Sequence, residues 1–115
     1  IEKDVAAAAL RDAGWRVADV GAASPATRFA EKADETSAVV VLALAETLAG
    51  AEAVAGIRHQ LDDIGREATA LLVGGGPFDA DENLAREVRA NGIVRGAESA
   101  LRMVARVVAD RTGAS

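Results

Sequence analysis

At 115 residues, half of them apolar, the chain has the size and hydrophobic content of one folded domain, and its formal net charge is −5 with only 3% aromatic residues. That balance excludes a nucleic-acid surface, which needs clustered Lys and Arg to neutralise phosphates and aromatic platforms for stacking. The absence of cysteine removes disulfides, thiolate metal sites and a thiol nucleophile and fits a reducing cytosol, while the apolar runs at 38–45 and 68–76 fall short of the ~20 residues of a membrane span.

The chain opens with "VAAAALRDA" at 5–13, an Ala- and Leu-rich stretch that predicts a helix ending at Gly14. "WRVADV" at 15–20 alternates Trp15, Val17 and Val20 with polar residues and stops at Gly21, the pattern of a short strand; packing against a neighbouring helix accounts for Trp15. Ser24-Pro25 supplies a cap and an N-terminal proline for an amphipathic helix over 26–36 that turns Phe29 and Ala33 inward. "AVVVLALA" at 38–45 is a continuous β-branched and aliphatic run, expected of a strand covered on both faces in a parallel sheet.

From 47 to 65 the apolar residues Leu48, Ala51, Val54, Ile57, Leu61 and Ile64 recur every three or four positions, which predicts one helix closed by Gly65. "ATALLVGGGPF" at 68–78 reads as another buried strand broken by three glycines and a proline. Asp79 with Glu82 then resembles a capping box for a helix over 80–90. "GIV" at 92–94 suits one more strand, and 97–111 places Ala97, Leu101, Val104 and Val108 on one helical face. Strands alternating with helices predict a single α/β domain of flavodoxin-like, Rossmann-like type, a parallel sheet with helices on both faces. Such a sheet normally starts with a strand, and in the order 2-1-3-4-5 that first strand is central. Sequence upstream of Ile1 is therefore expected to supply it, within a longer polypeptide.

Open α/β sheets bind ligands at the carboxyl ends of their strands, which places a candidate pocket over Ser24, Leu42, Ala43, Leu44, Gly74, Gly75, Gly76, Pro77, Gly96 and Ala97. Gly74-Gly75-Gly76-Pro77 fits a ligand-lining loop, with a flexible turn as the alternative; neither a Gly-x-Gly-x-x-Gly fingerprint nor a phosphate loop is present. His59 falls toward solvent or the rim of its helix and has no second metal ligand in view. Asp62, Asp63, Asp79, Asp81 and Glu82 read as helix-terminal charges, or alternatively as a carboxylate site for a hard cation. Arg102, Arg106 and Arg111 read as a solvated face, or as the border of a homo-oligomer contact with Met103 and Val107. No catalytic set can be assembled around one histidine without a nucleophile motif, so no catalytic residue is assigned and no enzyme acting alone is expected.

The spacing of "DAGWRVADVG", "AVVVLALAET", "LLVGGGPF" and "NGIVRGAESAL" resembles the cobalamin-binding (vitamin B12) domains of methyltransferases, mutases and light- or cobalamin-sensing regulators, over nearly the whole chain. The resemblance implies a cobalamin cofactor whose nucleotide tail enters a slot beside the sheet. In that family an Asp-x-His-x-x-Gly motif carries the cobalt-ligating His, a Ser-x-Leu follows the third strand and a Gly-Gly the fourth. The Gly-Gly matches Gly74 and Gly75, but the Ser-x-Leu falls on Leu42-Ala43-Leu44, without the hydroxyl. The motif's last Gly falls on Glu2, and its Asp and His would precede Ile1. The implied role is a ligand-sensing or cofactor-carrying domain of a bacterial regulator or corrinoid-dependent system, partnered by other domains or subunits. The alternative is a degenerate module that binds no corrinoid and serves protein contacts or another ligand.

Overall fold

The structure is a computed structural model and describes residues 3–14 and 26–111. The apolar runs form a three-stranded parallel sheet in the order β1 (Val40–Leu44), β2 (Ala70–Gly74), β3 (Gly92–Val94). Val40 pairs with Ala70 and Leu44 with Gly74 across the first ladder, and Leu72 pairs with Gly92 and Gly74 with Val94 across the second. The ladder between β2 and β3 is extended at its amino end by Asn91. Its backbone N–H donates to the Leu71 carbonyl at 2.6 Å, and its side-chain Oδ1 accepts from the Leu71 N–H at 2.7 Å.

Around the sheet lie α1 (Lys3–Asp12), α2 (Ala26–Thr36), α3 (Leu48–Ala53), α4 (Ala55–Asp63), α5 (Gly76–Ala80), α6 (Asn83–Glu87) and α7 (Ala97–Arg111). Because side chains alternate along a strand, each strand contributes to two cores. Val41, Ala43, Leu71 and Val73 pack with Ala30, Ala33, Ile57, Leu61, Phe78 and Leu84 beneath α2 to α6. Leu72 and Val94 pack on the other face with Leu10 of α1 and Ala100 and Val104 of α7. All five β2 residues are buried, as its uninterrupted apolar sequence requires of a central strand. The expected α/β architecture, a parallel sheet with helices on both faces, is the one formed. The 15–20 strand, Ser24-Pro25 and Glu2 lie outside the described residues.

The structure corrects three local expectations. The 47–65 helix is two helices joined at Val54, whose N–H reaches back to the Ala51 carbonyl and whose own carbonyl accepts from Ile57 N–H. The apolar period runs through this kink, so Ala51, Val54, Ile57 and Leu61 are all buried, while Leu48 and Ile64 at its two ends are exposed. Secondly, Gly76-Pro77-Phe78 belongs to a short helix rather than to the strand, Pro77 occupying the first turn where its missing N–H costs nothing. Thirdly, Asp79 and Glu82 form no capping box: Asp79 lies inside α5, and Glu82 caps α6 without a side-chain bond while Asp81 Oδ1 accepts from Asn83 N–H at 3.0 Å. Gly65 does close α4, in the left-handed conformation at φ 80°, with Arg66 N–H on the Leu61 carbonyl and Gly65 N–H on that of Asp62.

Candidate functional site

At the carboxyl end of β1, the Ala45 N–H donates to the Gly74 carbonyl at 2.9 Å, prolonging the ladder by one residue. The chain then turns into α3, where Thr47 Oγ1 accepts from Gly50 N–H at 3.0 Å. At the end of β2, Gly75 takes φ 113°, open only to glycine, and the chain enters α5, which the fully buried Phe78 anchors in the core. The three glycines differ in what surrounds them. A β-carbon on Gly75 would collide with the Ala45 carbonyl oxygen, and one on Gly74 would lie 2.7 Å from the Val94 carbonyl oxygen and 2.8 Å from Leu44 Cδ2. A β-carbon on Gly76 would meet nothing within 4 Å. Gly74 and Gly75 thus let the strand ends close on one another, and Gly76 is the glycine that faces open space.

The candidate residues divide by strand alternation. Leu42 and Leu44 are half-buried on the side of α1 and α7, where the Leu44 tip lies over Gly74. Ala43 points the other way, buried in the core under α2 to α6, and so is separated from them by the sheet. Gly96 and Ala97 open α7, the Gly96 carbonyl accepting from Ala100 N–H at 2.9 Å, and Ser24 is outside the described residues. Two open grooves of roughly 470 and 390 Å³ lie elsewhere, one between β2 and α7 around Asn91, Met103 and Arg106, the other beside β3 around Arg86, Ile93 and Arg95.

The charged candidates are occupied with one another. Arg95, just past β3, donates to Glu82 Oε1 at 2.9 Å and pairs with Asp79 Oδ1 at 3.6 Å, a clasp from the end of β3 to α5 and the cap of α6 that the sequence did not signal. Asp62 lies between Arg58 and Arg89, at 3.3 and 3.1 Å, and Asp63 pairs with the exposed His59 at 3.4 Å. Among the described residues no group of three or more His, Cys, Asp or Glu is placed to hold a metal ion, and no helix is long and apolar enough to cross a membrane.

This arrangement fits part of a corrinoid. The half-buried strip of Leu42 and Leu44 beside Gly74 suits a flat, weakly polar ring, and the space at Gly76 suits a bulky group over the strand ends. None of the described residues fits the role of cobalt ligand, since the one histidine is on the outer surface of α4 and engaged with Asp63. No curated protein matches the chain. Residues 1–106 match the family model for the B12 binding domain, and the chain accordingly belongs to that family, whose ligand is cobalamin.

Proposed function

We propose that this domain holds a corrinoid over the carboxyl ends of β1, β2 and β3 and serves as a carrier or sensor module. The observation that supports this most directly is the difference among the three glycines. Gly74 and Gly75 draw the strand ends together, and Gly76 leaves room above them where a macrocycle can approach the backbone. Leu42 and Leu44 would flank the nucleotide tail, and Gly76, Pro77, Gly96 and Ala97 the ring. The bound cofactor supplies any chemistry, through the bonds its cobalt makes; the protein binds, orients and shields it. Domains of this family are often accessory to cobalamin-dependent enzymes, and we assign this one a non-catalytic role in a bacterial regulator or corrinoid-dependent system, in the cytoplasm.

The outer edge of β1 pairs with nothing among the described residues. A further parallel strand there would satisfy its backbone groups.

A second reading has one specific observation in its favour: Leu42 stands where the family places a hydroxyl, so the domain would retain the fold for contacts with other domains or subunits and bind no corrinoid. A single experiment separates the two. The full protein is incubated in the dark with hydroxocobalamin and, in parallel, with cobinamide, passed over a gel-filtration column and examined by visible absorption. Stoichiometric corrin absorption with a shifted band is expected; a protein left colourless by hydroxocobalamin and by tail-less cobinamide alike would leave only the second reading.

A further inference from the structure

On the α1 and α7 side of β1, Val40, Leu42 and Leu44 are half-buried and adjoin Leu72 and Val94 of the next two strands. Facing them are Leu10 of α1 and Ala100, Leu101 and Val104 of α7. All of these are hydrocarbon side chains. The only hydroxyl on α7 is Ser99, and it is already committed: its Oγ accepts from Arg95 N–H at 3.4 Å and donates to Met103 Sδ at 3.6 Å. The backbone groups of β1 lie in the plane of the sheet, directed either to β2 or to the outer edge, and none points out of this face.

We infer that this strip selects among corrinoids by the base that ends the nucleotide tail, favouring a phenol-type ring with no hydrogen-bonding ring nitrogen over a benzimidazole or purine. The inference rests on the corrinoid-binding reading above. A base nitrogen buried against Leu42 gives up its bond to water or to cobalt and receives no donor from the described residues in return. That loss weakens binding by roughly tenfold to a hundredfold. A phenol-type base has no such atom to satisfy, and its ring makes the same apolar contacts. Leu42 is then the specificity-determining residue, and a hydroxyl at that position would restore the missing partner.

The test compares three corrinoids on the full chain by equilibrium dialysis: p-cresolylcobamide, hydroxocobalamin, and cobinamide, which lacks the nucleotide tail. Because cobalamin also gives up its internal cobalt–base bond to extend the tail, the informative quantity is how the affinity ratio changes with residue 42. The native chain should bind the phenol-type cobamide at least tenfold tighter than hydroxocobalamin. Leu42→Ser should narrow that ratio by roughly tenfold while leaving cobinamide affinity unchanged. Leu42→Thr, β-branched and suited to a strand, is the second variant should serine disturb folding, with circular dichroism as the check. A ratio unmoved by both variants, or cobinamide binding as tightly as the phenol-type cobamide, would overturn the inference while corrinoid binding stands. Failure of all three corrinoids to bind, cobinamide included, would instead overturn the binding reading and this inference with it.

Discussion

The carbonyl oxygen of Ala45 stands where the β-carbon of any other residue at Gly75 would be, so the end of β1 closes directly on the backbone that leaves β2. Gly75→Ala must both distort this contact and hold φ at 113°, a region costing a non-glycine residue about 1–3 kcal/mol before any steric shift is added. A stability loss of about 3 kcal/mol or more by urea denaturation is expected, large against the 5–15 kcal/mol of a typical domain. An unchanged midpoint for Gly75→Ala would show that the two strand ends are not packed as described.

This contact also marks the limit of what could be read from residues in order. β1 and β2 were legible because "VVLAL" and "ALLVG" are apolar at every position, which only a doubly covered strand requires. The glycine run was legible as a place where side chains are excluded, but not the cause of exclusion, because Ala45 and Val94 are distant in sequence and show no special residue type. The kink at Val54 was hidden for a different reason: its φ and ψ remain helical at −61° and −27°, and the buried face passes through it unbroken. The burial of Arg58 is hidden in the sequence by its charge, whereas Ala43 shares one apolar run with Leu42 and Leu44 although period-two alternation puts it on the opposite face.

Arg58 is 6% exposed, and its guanidinium donates to the Thr69 carbonyl at 2.9 Å and the Arg66 carbonyl at 3.3 Å while its Nε lies 3.3 Å from Asp62 Oδ1. It thereby ties α4 to the turn that enters β2. Truncation leaves buried carbonyl oxygens without donors as well as a void, so Arg58→Ala is expected to cost about 2–4 kcal/mol. Arg58→Met, which fills most of the volume but donates nothing, should fall between the two in a denaturation series. If alanine and arginine proved equally stable, the bonds to Thr69 and Arg66 would contribute nothing.

Ser37 follows α2 at φ 53°, with Ala38 N–H on the Ala33 carbonyl at 2.9 Å, the same closure that Gly65 makes after α4. A left-handed residue with a β-carbon is strained by about 1–2 kcal/mol, and glycine is free of that strain. Ser37→Gly is therefore expected to raise stability by about 1 kcal/mol, and Gly65→Ser to lower it by a similar amount. Differential scanning calorimetry reads the two as opposite shifts in Tm, and shifts of the same sign would refute the shared geometry.

Gly76 separates the demands of the fold from those of the ligand. Its β-carbon direction is open, and its backbone is not in the left-handed region that excludes side chains, so the protein alone gives no reason for glycine there. Gly76→Ala should leave the urea midpoint within about 1 kcal/mol of the native chain, since a surface change away from special features seldom does more. If a corrinoid lies over the strand ends, the same position becomes crowded on binding. Gly76→Leu, still folded, should then lower hydroxocobalamin affinity by roughly tenfold or more, as forcing extra methylenes into a packed contact costs about 1–3 kcal/mol. Equal retention of hydroxocobalamin by the native chain and by Gly76→Leu would move the ring away from α5, leaving the carboxyl ends of β1 and β3 as the part of the edge against which it could rest.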